Sequence, residues 1–76
     1  MDREELLRRL KALVDASGQL SYIDVALELD VSASYAIVLC KILAARYPDH
    51  YVYSDGVIFK VVRLSGEEVE SSGLML

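Results

Sequence analysis

The sequence predicts a small α+β domain, mainly helical, in which three helices precede a short β-hairpin. Three observations predict it. Apolar residues recur at helical spacing through residues 2–16, serines stand as caps before two further helical segments, and Asp-Gly divides two β-prone runs near residue 55. A chain of 76 residues is one domain with no room for a second. Hydrophobic residues make up 54% of it, enough to fill a core without staples and leave apolar surface for a partner.

The first helix is expected over residues 2–16. Asp2 caps it, with Glu5 three residues on as in a capping box. Leu6, Leu7, Leu10, Leu13 and Val14 form the apolar stripe, and Gly18 supplies the stop. Gln19-Leu20-Ser21 is too short for an independent strand but can pair with one elsewhere. Ser21 caps a second helix from Tyr22 to about Leu29, with Asp24 in its first turn and Ile23, Ala26, Leu27 and Leu29 as its apolar set. Asp30-Val31 forms a turn. Ser32 caps a third helix from Ala33 to about Tyr47, which Pro48 ends because the residue before proline disfavours helical backbone.

Residues 51–54 and 57–62 read as two strands joined at Asp55-Gly56. A two-residue turn pairs Ser54 with Val57, Tyr53 with Ile58, Val52 with Phe59 and Tyr51 with Lys60. One face then carries Val52, Val57, Phe59 and Val61, and this face is expected to pack on the helices. The other carries Tyr51, Tyr53, Ile58 and Lys60. Residues 1–64 form the domain, and residues 65–76 read as an acidic, flexible tail ending in Leu74-Met75-Leu76.

Charge and composition exclude several classes. Twelve acidic residues against eight Lys and Arg give a net charge of −4. Residues 1–64 hold nine acids and eight cations, so the domain is nearly neutral and lacks the basic footprint of an ordinary nucleic-acid binder. No apolar run approaches the roughly 18 residues that span a bilayer. The charged start, Met-Asp-Arg-Glu-Glu, is unlike a secretory signal, and one cysteine cannot form an internal disulfide. The expected setting is the cytoplasm, with no membrane association.

The segment Val25-Ala26-Leu27-Glu28-Leu29-Asp30-Val31-Ser32-Ala33-Ser34-Tyr35-Ala36 places a small residue inside the second helix, then an apolar-x-Val-Ser turn, then a third helix. Two helices crossing at a short turn need a small residue, here Ala26, where they approach closely. With the hairpin behind it, residues 1–64 resemble a winged helix-turn-helix domain of the kind found in small prokaryotic and archaeal transcriptional regulators. The resemblance implies three helices with two or three short strands, and duplex DNA as the ligand of a dimer that regulates transcription. It places Ala36, Cys40 and Leu43 on the core side of the third helix and Ser34, Tyr35, Ile37, Val38, Lys41 and Ile42 outward. The candidate DNA contacts are Ser34, Tyr35 and Lys41 toward base edges, Val38 as an apolar contact to a base, and Lys41, Arg46, Lys60 and Arg63 toward phosphates.

The third helix does not have the surface of an ordinary DNA reader. Such helices offer Arg, Lys, Asn or Gln to base edges, whereas residues 35–40 are apolar on every side. Either the hairpin and first helix cover this face, or it meets DNA, or it meets a second copy or another protein. The partner surface in that last reading comprises Ile37, Val38, Ile42, Tyr51, Tyr53 and Ile58. The hairpin tip, Asp55-Gly56, is short and acidic where DNA-contacting wings carry Arg or Lys.

Nothing points to catalysis. Cys40 and His50 are the only residues of their kinds, too few for a zinc site. There is no phosphate-cradling glycine loop and no nucleophile–base set, and Asp24 and Glu28 read as a solvated helix face. The chain is expected not to be an enzyme, with no metal, no cofactor and no small-molecule substrate. The expected function is that of a dimeric DNA-binding transcriptional regulator, with a protein-interaction module as the alternative.

Overall fold

The computed structural model describes residues 2–61. Arg63 and the tail 65–76 lie outside the described residues. The order of elements is α1 (Arg3–Ser17), β1 (Gln19–Ser21), α2 (Tyr22–Leu29), α3 (Ala33–Arg46), β2 (Tyr51–Ser54) and β3 (Val57–Lys60). The three strands form one antiparallel sheet in the order β1-β3-β2. This is an α+β layout with a winged-helix-like arrangement.

Each helix starts on a side-chain cap. The Asp2 carboxylate accepts from the Glu5 amide at 2.8 Å, Ser21 Oγ from Asp24 at 3.1 Å and Ser32 Oγ from Tyr35 at 3.1 Å. The other half of the expected capping box is replaced, because the Glu5 side chain pairs with Arg8. Gly18 ends α1 at φ 87°, its amide donating to the Val14 carbonyl. α2 ends on Asp30 in the left-handed region, and the amides of Asp30 and Val31 both donate to the Ala26 carbonyl. Asp serves there because its short polar side chain tolerates this backbone better than most.

The hairpin register is the expected one in all four pairs. Asp55 (φ 52°) and Gly56 (φ 78°) both have positive φ, as a two-residue turn of type I′ requires. β1 supplies the third strand, with Gln19 opposite Phe59, Leu20 opposite Ile58 and Ser21 opposite Val57.

The core takes Leu6, Leu7, Leu10 and Val14 from α1, Val25, Ala26 and Leu29 from α2, Ala36, Leu39, Cys40 and Leu43 from α3, and Tyr51 and Ile58 from the sheet. Two expectations are corrected here. The sheet packs with its other face inward. Tyr51 and Ile58 are buried and Tyr53 is half-buried against the core, while Val52 is exposed and Val57 and Phe59 are half-exposed. The reason is β1. Its one apolar residue, Leu20, shares a face with Ile58, and its polar residues Gln19 and Ser21 share a face with Phe59 and Val57. Turning the sheet over would bury Gln19 and Ser21 and expose Leu20.

In α2, Val25 joins Ala26 and Leu29 in the core, and Ile23 and Leu27 point outward. An eight-residue helix with this many apolar residues has two stripes and can bury only one.

The reversed sheet has a direct test. Ile58→Ala should cost about 3 kcal/mol and Val52→Ala less than about 1 kcal/mol, read from urea unfolding monitored by circular dichroism. The opposite ranking would mean that the sheet faces the other way.

Candidate interaction surface

α3 presents Ala36, Leu39, Cys40 and Leu43 to the core. Leu39, absent from the expected set, absorbs part of the apolar excess. Ser34, Val38 and Lys41 are exposed, on the side opposite the core residues at 100° per residue. Tyr35 and Ile42 are half-buried against the core, and Ile37 is half-buried. The outward surface of this helix is therefore narrow, and its only cation before the last turn is Lys41.

Of the other residues assigned to phosphate, the two that are described, Arg46 and Lys60, are occupied. Arg46 makes a two-pronged contact with Glu4, at 2.7 and 2.6 Å, tying the end of α3 to the start of α1. This bond holds the Glu4 carboxyl below its ordinary range. Lys60 Nζ stands 3.7 Å from Asp15, which also receives Lys11 at 3.3 Å and the Tyr51 hydroxyl.

The wing is also tethered. The Tyr22 amide donates to the Gly56 carbonyl at 2.8 Å, and a Cβ at Gly56 would lie 3.2 Å from the Tyr22 ring. The tip therefore rests against the first residue of α2 and does not project from the domain.

Of the residues assigned to a partner surface, Tyr51 and Ile58 are core residues and Tyr53 is half-buried, which leaves Val38 exposed with the half-buried Ile37 and Ile42 beside it. Tyr51 is buried with its hydroxyl on Asp15 and Tyr47 edge-on at 6.2 Å, an arrangement that satisfies its one polar atom. The most exposed apolar side chains lie on α2. Leu27 is 77% exposed, Ile23 53%, Val38 45% and Val52 44%. Among the described residues, the outer sheet face, with Val52, Val57 and Phe59 beside Gln19, Ser21 and Ser54, carries no charged residue. An open groove of about 280 Å³ lies between α1 and α2, lined by Arg9, Ala12, Leu13, Ala16 and Glu28.

One signal in the sequence would have located the main feature. Residues 12–40 contain no Lys, Arg or His but include Asp15, Asp24, Glu28 and Asp30. The whole helix-turn-helix as far as Cys40 is thus acidic and apolar.

Among the described residues no group of three or more His, Cys, Asp or Glu could hold a metal ion, and no helix is long and apolar enough to cross a membrane. Comparison with protein-family models, with curated proteins and with solved structures finds no match to this chain.

Two chemical consequences follow from this geometry. The Tyr51 hydroxyl, followed by Lys11 and Lys60, holds the Asp15 carboxyl below its ordinary value of 3.8 against the opposing effect of burial. A carboxyl lowered in the folded state adds stability that is complete above its unfolded value and is lost as pH falls through the folded one. Stability should therefore be level above pH of about 5 and fall below about 4, with a shallower acid slope in Tyr51→Phe, as chemical unfolding across pH will show. That substitution should also cost about 1 kcal/mol at neutral pH. Burial pushes the Cys40 thiol up to about 11, so a maleimide at pH 8 should label it only under denaturing conditions; rapid native labelling, read by mass spectrometry, would contradict its place in the core.

Proposed function

We propose that this chain is a winged-helix-like protein-interaction module rather than a reader of duplex DNA. The observation that carries this reading is the charge of the helix-turn-helix. From Tyr22 to Cys40 it holds Asp24, Glu28 and Asp30 and no cation. Binding to a duplex draws most of its affinity from cations that displace counterions from phosphates, and base edges are read by forked polar side chains. The outward side of α3 offers Ser34, Val38 and one lysine. Arg46 and Lys60 already face Glu4 and Asp15, and the tip of the wing is acidic.

Apolar exposure supports the same reading. Leu27, Ile23 and Val38 lie on the two helices that would face DNA in a duplex reader. In water such residues favour a protein partner that removes them from solvent.

The test is electrophoretic mobility shift at low and physiological salt with mixed-sequence duplexes. Affinity should be weaker than about 10⁻⁴ M at physiological salt, below ordinary non-specific binding. A complex at 10⁻⁶ M or tighter by the same scale, weakening steeply with salt and lost in Lys41→Gln, would restore the DNA-regulator reading.

A further inference from the structure

We infer that the outward face of α2 docks a basic amphipathic helix of a partner protein, with Leu27 and Ile23 as apolar anchors and Asp24, Glu28 and Asp30 as the acidic rim. This rests on the interaction-module reading above and names its surface and partner class. Leu27 and Ile23 are the two most exposed large apolar residues among those described. They stand four residues apart, one turn along the same side of the helix. Asp24 and Glu28 form a second row beside them, also four residues apart, and Asp30 closes the end of the helix in the turn to α3.

Among the described residues, no Lys or Arg comes within ion-pair distance of the charges on this face. Glu4, Glu5 and Asp15 each pair with a cation, whereas Asp24, Glu28 and Asp30 enter no ion pair among the described residues. The same pattern decides between occupants. A nucleic acid or an anionic lipid surface would bring phosphates against three carboxylates. A second copy meeting α2 about a two-fold axis would bring six carboxylates together, since a two-fold contact sets the same patch against itself. A helix with apolar residues at three- and four-residue spacing, flanked by Lys or Arg, answers both features: its apolar stripe covers Leu27 and Ile23 and its cations meet the rim.

The test uses the full chain and three synthetic helical peptides of about 16 residues, long enough to cover α2 at 1.5 Å per residue. One is a Leu/Lys peptide with amphipathic spacing, one has the same spacing in Leu/Glu, and one has the Leu/Lys composition with the spacing scrambled. The first should bind saturably by fluorescence anisotropy and shift amide resonances of residues 22–30. The other two should bind at least about tenfold more weakly. Leu27→Ser should weaken the first peptide by about tenfold, as loss of an anchor does. The triple variant D24N/E28Q/D30N should raise its Kd and flatten its salt dependence. All these side chains are exposed, so unchanged circular dichroism spectra will certify folding.

Absence of saturable binding overturns the inference. So does binding that maps away from α2, or binding that Leu27→Ser leaves unchanged. Concentration-dependent dimers that Leu27→Ser abolishes, seen by light scattering, overturn it in favour of a second copy. If neither the peptides nor duplex DNA binds, this inference fails while the broader reading stands; if duplex DNA binds and the peptides do not, both fail.

Discussion

Leu20 opposite Ile58 sets the orientation of the whole sheet. β3 is the central strand, and its fully buried residue is the one that β1 meets with its single apolar side chain. Once that pair faces the helices, Tyr51 and Tyr53 must follow on β2, and Val52, Val57 and Phe59 must face out. Tyr51 then needs a polar neighbour for its hydroxyl, and Asp15 near the end of α1 provides it. Asp15 in turn gathers Lys11 and Lys60. One apolar contact thus fixes where a tyrosine is buried and where two lysines spend their charge.

The second organising constraint is the economy of cations. The described residues place them in α1, at Lys41 and Arg46 of α3, and at Lys60. Arg8 and Lys11 serve nearby carboxylates, and Arg46 and Lys60 serve sequence-distant ones on Glu4 and Asp15. These exposed pairs contribute little stability in water; their larger effect is to use up charges that could otherwise face phosphate. The acids of α2 are left over on the opposite balance. A domain that is nearly neutral in total therefore has acids that enter no ion pair among the described residues gathered on α2 and the turn after it.

The sequence was most legible where structure is local. The caps at Asp2, Ser21 and Ser32, the stop at Gly18, the left-handed Asp30 and the Asp55-Gly56 turn are each decided within a few residues, and so is the hairpin register. The inward face of the hairpin was not legible from the hairpin alone, because both faces are apolar and the deciding residue lies more than 30 positions away in β1. α2 posed the same problem in miniature. Its segment Tyr-Ile-Asp-Val-Ala-Leu-Glu-Leu supports two apolar stripes, and α1 and α3 choose between them. The absence of cations between Lys11 and Lys41 was legible from the start and bears more directly on function than the net charge does.

The short bond from Tyr22 to Gly56 gives the wing an unusual mechanical status. The hairpin turn and the first residue of α2 are held as one piece, and glycine is favoured there by its positive φ of 78°, with a Cβ placed tightly, 3.2 Å from the Tyr22 ring. A longer wing could reach outward only by releasing the start of α2, so reach and helix anchorage are traded against each other in this fold. A load applied to the outer face of α2 would pass through that bond into the central strand and on to Gly18 at the end of α1, which accepts from Lys60. The exposed helix is thereby braced from behind as a stiff lever rather than a loosely hung one.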